Sequence, residues 1–172
     1  AAAADPVREA VEQGAVALVA GYDTVDVSKL VTPAAENFLP TVIPLATDDR
    51  HCGINHFIFR NAYTDTQQAE TIGGYLWYWQ QFMRIGVMID MASSAEYERN
   101  IARDVAQAFQ DLGGETIVSA EYNGDDFEAA IDQVVIANPQ AVVVPAPGKR
   151  SAKIILSLRK KGYRGLICGA DS

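Results

Sequence analysis

Short runs of uninterrupted apolar residues recur along this chain, and each closes on a polar loop that leads into an amphipathic segment. Examples are Ala15–Ala20 (Ala-Val-Ala-Leu-Val-Ala), the Ile85–Asp90 stretch and Ala141–Val144 (Ala-Val-Val-Val). Such runs suit strands buried on both faces, which are the strands of parallel sheets. The segments between them carry helical spacing. Within 95–112, for instance, Tyr97, Ile101, Val105, Phe109 and Leu112 fall on one face. Alternation of these two patterns predicts an α/β fold with a doubly wound parallel sheet covered by helices.

The order of elements follows from the punctuation. Asp5 and Pro6 suit the start of a helix that Gly14 ends. The strand 15–20 stops at Gly21, and a loop at 22–26 precedes a helix over 28–38, with Pro33 placed near its first turn. A short strand at 41–43 opens into an irregular polar loop over 46–56, and an extended pattern resumes at 57–60. A long aromatic helix is expected over 66–82, its run of Tyr75, Leu76, Trp77, Tyr78, Trp79 and Phe82 serving to pack against a sheet or a second surface. Regular alternation then follows: strand 85–90, helix 95–112, strand 115–120, helix 127–137, strand 141–144, helix 149–161 and strand 166–168. Ser93 with Glu96 reads as a capping box, and Asp125 or Asp126 as a cap for the helix at 127. The break at 61–65 suggests two lobes, a first over 1–61 that is only partly present and a second over 62–172 that is nearly complete. The chain reads as a portion of a longer protein, and an incomplete sheet exposes an edge, so some self-association is expected.

Charge and composition exclude several classes. A net charge of −8 argues against a nucleic-acid partner, which usually meets a basic patch. No apolar run approaches the roughly 20 residues of a membrane helix. The first residues lack the basic and long apolar regions of a secretory leader, which leaves a cytoplasmic protein or a mature, trimmed chain. The two cysteines, Cys52 and Cys168, make no CxxC pair. A disulfide between them needs Cα atoms within about 7 Å, and nothing in the sequence supports one.

Chemistry-bearing motifs are few. No GxGxxG and no Walker loop is present, and Gly148-Lys149-Arg150 lacks the upstream glycine and the hydroxyl, so no nucleotide cofactor is expected. No GxSxG occurs, and His51 and His56 share one loop with Asp48, Asp49 and Cys52 at a spacing that matches no standard zinc site. They read as surface-loop residues, and no metal is expected. What remains is the set at strand C-termini: Thr24 to Asp26, Ala46 and Thr47, Asp90 to Tyr97, Tyr122, 145–148 and Asp171. Parallel sheets present such ends along one edge, where ligands bind. The stretch from Arg84 to Tyr97 is open to three readings here, a catalytic loop, a binding loop or a capped turn. The set as a whole offers hydroxyls, carboxylates and helix starts without a nucleophile–base pair, which favours capture of a small polar solute over catalysis.

In order along the chain, several stretches resemble one family. They are Val19-Ala-Gly21, Pro44-Leu-Ala-Thr47, Phe59-Arg60 with Asp65 and Gln67-Gln68, Ile85 to Tyr97 with Ile101-Ala102, Leu112-Gly-Gly-Glu115, Asp126-Phe127 and Gly169-Ala-Asp-Ser172. Together they resemble the type I periplasmic solute-binding proteins of ABC importers, of the leucine/isoleucine/valine-binding kind. The resemblance implies a two-lobed, non-enzymatic Venus flytrap, periplasmic or otherwise extracytoplasmic, that takes a small polar organic solute and docks to a membrane permease. It implies first-lobe ligand contacts at Thr24, Val25, Ala46 and Thr47, an ammonium-holding Asp171, and Tyr97 as the wall supplied by the second lobe. A sensing receptor of the same fold and an enzyme on a doubly wound sheet are the alternatives.

Overall fold

The computed structural model describes residues 6–20, 24–51, 53 and 55–170, the side chains of residues 24–26 excepted. Two compact units divide the chain, the first ending at Asp65 and the second beginning at Thr66. Both are parallel sheets with helices, in keeping with the α/β expectation. Asp5, proposed as a cap, lies outside the described residues.

In the first unit, α1 (Pro6–Glu12), β1 (Leu18–Val19), α2 (Thr24–Glu36), β2 (Thr41–Ile43) and β3 (Ile58–Arg60) follow one another, and the strands lie in the order β1-β2-β3, all parallel. Val7 of α1 and Val27, Val31 and Ala34 of α2 pack with Leu39, Ile43, Ala46 and Ile58. Residues that alternate with this core, Val19, Val42 and Phe59, are exposed. The expectation of a strand at 15–20 buried on both faces is therefore corrected. The strand is Leu18–Val19, and it is not doubly buried because the described helices cover one face of a three-stranded sheet. The helix expected at 28–38 starts earlier, at Thr24, so Pro33 lies inside it and not in its first turn. Proline has no amide to continue the ladder, and α2 ends three residues later. There the amide and the side-chain nitrogen of Asn37 both donate to the Pro33 carbonyl, at 3.1 and 2.8 Å.

The second unit contains α3 (Asp65–Gly74, its first residue shared with the unit before), β4 (Arg84–Asp90), α4 (Glu96–Asp111), β5 (Glu115–Tyr122), α5 (Glu128–Ala137), β6 (Ala141–Val143), α6 (Gly148–Lys160) and β7 (Leu166–Cys168). The strand order is β5-β4-β6-β7, all parallel. The chain leaves β4 toward β5 and returns across β4 to β6, which makes the sheet doubly wound. Side chains alternate accordingly. Ile85, Val87 and Ile89 with Ala141 and Val143 pack against α3 and α4, while Met88, Val142 and Val144 pack against α5 and α6. Both faces are dry, as continuous apolar strands require.

Three local expectations change. The helix expected over 66–82 is α3 followed by one π-helical turn, Tyr75–Trp79, closed by Gln80 N–H to Tyr75 O at 3.1 Å. The widened turn keeps Leu76 fully buried and sets Trp77 edge-on to Phe109 at 5.9 Å between centroids. The Ser93/Glu96 capping box does not form, since Ala95 is the N-cap of α4 and makes no side-chain cap bond. Nor does an aspartate cap α5, whose N-cap is Phe127. Asp125 instead pairs with Arg150 and Lys153 of α6.

The central strand tolerates no added bulk at Gly86, where the β4–β5 register is irregular. A Cβ there would lie 2.6 Å from Val118 Cγ1 and 3.1 Å from Pro139 Cγ. We expect Gly86→Ala to destabilise the protein by about 1–3 kcal/mol through overpacking, read as a lower urea midpoint with unchanged slope. An unchanged midpoint would mean that β5 yields at no cost.

Candidate functional site

A doubly wound sheet offers its ligand crevice where strand order reverses, beyond the carboxyl ends of the two strands concerned. Here those strands are β4 and β6. Asp90 closes β4 and is wholly buried. A carboxylate out of contact with water needs donors on its oxygens, and three are supplied. Ala92 N–H and Gly124 N–H each donate to Oδ1 at 3.0 Å, and Arg150 Nη1 donates to Oδ2 at 2.5 Å. One side chain thereby fixes the loop after β4, the loop after β5 and the first turn of α6. Arg150 is itself half-buried, with Asp125 Oδ1 3.6 Å from its Nε. The Tyr122 hydroxyl is buried beside the pair, and burial first, then the Asp90 charge, push its pKa far up, so it stays neutral. Met91 N–H to Tyr122 O at 2.8 Å and Ser151 Oγ to Ala146 O at 2.6 Å complete the edge.

Tyr97 lies in the first turn of α4. Its ring joins the core under α3 and α4, and its hydroxyl donates to Gln68 Oε1 at 2.7 Å. The helix pair thus holds the ring in one orientation.

In the first unit the corresponding loop follows β2. Ala46, Thr47 and Asp48 are all buried. Arg60, the last residue of β3, donates to the carbonyls of all three, at 3.5 Å for Ala46 and 2.9 Å for Asp48, with the closest contact to Thr47. Because a trans peptide directs its N–H opposite its C=O, the amides of Thr47, Asp48 and Asp49 face away from Arg60. The face of these peptides away from Arg60 therefore carries N–H groups. The Thr47 carbonyl also accepts from Asp65 N at 3.0 Å, which ties the loop to the start of α3. The Asp48 carboxylate takes Arg50 N–H at 2.8 Å and the Arg50 guanidinium. Burial alone would raise its pKa, but the hydrogen bonds and charge of Arg50 outweigh it and hold the group below its ordinary 3.8.

The residues expected to form the site fall as follows. Ala46, Thr47 and Tyr97 stand at or near the carboxyl edges of their own sheets. The backbones of Thr24 and Val25 begin α2 instead of forming a loop, and their side chains lie outside the described residues, as does Asp171. His51 is not a surface residue. It is buried, with Nε2 3.3 Å from Ser28 Oγ. Among the described residues no His, Cys, Asp and Glu cluster is arranged to hold a metal ion, and Cys52 lies outside them. The sequence alone assigns no site role to Arg60 or Arg150, although both stand in stretches singled out above. Arg150 did leave a signal, since α6 carries basic residues in its first turn and no acidic one, against the preference of the helix dipole.

A family model described as periplasmic binding protein matches residues 1–170. Among solved structures, the chain is similar to the leucine-binding protein LivK from Thermotoga maritima, at a TM-score of 0.80 and 20% identity over 95% of this chain and 47% of that one. It is similar to LivJ from Streptococcus pneumoniae in complex with isoleucine, at 0.78 and 21% over 95% and 46%. A solute-binding protein from Rhodopseudomonas palustris in complex with 3,4-dihydroxybenzoic acid gives 0.74 and 16% over 95% and 46%. The chain spans about half the length of these structures. At such identities the likeness is one of fold. No curated protein matches the chain.

Two predictions follow from the edge geometry. Asp90→Ala strands a half-buried guanidinium and two amides and is expected to cost about 2–4 kcal/mol. Paired with Arg150→Met in a double-mutant cycle, the two losses should be non-additive by more than about 0.5 kcal/mol, and strict additivity in urea melts would show that the groups are not coupled. For Asp48 the folded pKa is lowered, so its stabilisation is present above 3.8 and is lost as pH falls through the folded value. Asp48→Asn should therefore lower stability at pH 7 and flatten the fall of stability with acid below about pH 4. A wild-type acid slope in the variant would refute the pairing.

Proposed function

The chain belongs to the periplasmic binding protein family, and from that membership we propose that it is part of an extracytoplasmic solute-binding protein of an ABC importer. The solute is a small polar organic molecule, an amino acid or a related compound, captured at the carboxyl edges of the parallel sheets. The partner is the permease in the membrane. In this reading the unit ending at Asp65 belongs to the first lobe and the unit from Thr66 on to the second.

The observation that carries the reading is the Arg60 clamp on 46–48, which turns three successive amides away from itself. Leucine, isoleucine and 3,4-dihydroxybenzoic acid, the ligands named for the similar structures, all carry a carboxylate. An amide N–H of this loop or the Thr47 hydroxyl can donate to that group. We assign Ala46 and Thr47, with Thr24 and Val25, to the carboxylate, Asp171 to an ammonium and Tyr97 to the wall of the site. Asp90 has no ligand role in this scheme, because its oxygens are occupied by Ala92, Gly124 and Arg150.

Calorimetry on the protein in its full natural length, with isoleucine and 3,4-dihydroxybenzoic acid as probes, tests the assignment. Thr47→Ala should weaken a bound carboxylate about tenfold, or 1.4 kcal/mol. Asp171→Ala should weaken isoleucine and leave the benzoate unaffected. Unchanged affinity in both variants would sink the assignment, and wild-type protein that binds neither probe nor any other carboxylate would sink the anion reading.

A further inference from the structure

Away from the carboxyl edges, the outer surface of the second unit carries a groove of about 440 Å³ between α3 and α4. Its origin is a close helix crossing. Ala69, Gly73, Gly74 and Ala108 are small, and a Cβ at Gly73 would lie 3.2 Å from Phe109 N. Ala69, Gly74, Ala108 and Leu112 give the groove an apolar lining, while Glu70, Asp104 and Asp111 bring three carboxylates and no lysine or arginine lines it. The π turn at the end of α3 adds an aromatic flank. Leu76 and Trp77 turn inward, so Tyr75, Tyr78 and Trp79 are left exposed, Trp79 by 81%. Tyr78 borders the groove itself.

We propose that this groove docks a basic segment of a partner protein, one that presents an apolar or aromatic side chain flanked by lysine or arginine. Clustered exposed aromatics mark interaction surfaces, and tyrosine and tryptophan are the residues that carry interface energy. The chemistry of the rim selects the partner. A cation beside Tyr78 meets both a carboxylate and an aromatic face. A second copy of this chain is disfavoured, since each copy carries a net charge of −8 and would set the same carboxylates against one another. Asp111, in the last turn of α4, accepts from Gln107 Nε2 at 2.7 Å, and both residues line the groove. An apolar floor with a charged rim has the anatomy of a transient interface.

The test uses the protein in its full natural length and a synthetic peptide of alternating leucine and lysine with one phenylalanine, followed by calorimetry. Saturable binding that weakens with salt is expected. Joint Glu70→Lys and Asp111→Lys substitution should weaken it about tenfold, and Trp79→Ala should weaken it with the charges intact. Glu36→Lys, an exposed acid in the first unit, should leave it unchanged. Equal binding of a peptide with glutamate in place of lysine would overturn the proposal. So would an equal loss in Glu36→Lys, or concentration-dependent dimerisation that Glu70→Lys and Asp111→Lys strengthen.

Discussion

A carboxylate without solvent can exist only where the protein replaces its hydration, and in the second unit that requirement falls on Asp90. Two backbone amides and one guanidinium supply the replacement. They come from three separate segments, so the demand of one buried charge is met only when the loops after β4 and β5 and the start of α6 converge. The geometry of the carboxyl edge is thus a by-product of satisfying a single side chain. Arg60 has the mirror-image role in the first unit, where a cation at a strand end gathers the carbonyls of 46–48. In both units charge fixes loops, and the sheet beneath supplies the fixed points.

Much of this architecture is written in local pattern. Strand 84–90 and helix 96–111 fall within a few residues of their expected limits because apolar continuity and 3.6-residue spacing are properties of neighbouring residues. The second sheet is legible for the same reason. The first is less so. Ala15–Ala20 has the composition of a doubly buried strand, but burial is decided by how many layers cover a sheet, and here the described helices cover one face. Pro33 misled in a related way. A proline usually opens a helix, yet α2 tolerates it three residues before its end, where few intrahelical bonds remain to be lost.

The side chains of the edge were harder to read. Ser93 and Glu96 have the spacing of a capping box, and Asp125 and Asp126 stand where a cap belongs, yet Ala95 and Phe127 occupy those positions. Competition explains it, since Asp90 already organises the loop before α4, and Asp125 is drawn to Arg150 and Lys153. Arg150 stands sixty residues from Asp90, and no periodicity links partners at that distance. The contribution of the family resemblance was of another kind. It named carboxyl-edge positions without explaining what holds them; Arg60 explains it for Ala46 and Thr47, and Gln68 for Tyr97.

The Asp90 clamp has an evolutionary reading. Its donors are two main-chain amides and one arginine on α6, and Met91 adds only its backbone N–H to Tyr122 O, so the exposed side chains of Met91, Ser93 and Ser94 on the same loop take no part in holding it. Substitution at these positions leaves the scaffold bonds intact. Such a loop separates the residues that preserve shape from those free to drift, and a lineage can alter the chemistry of this edge through single replacements without first losing its fold.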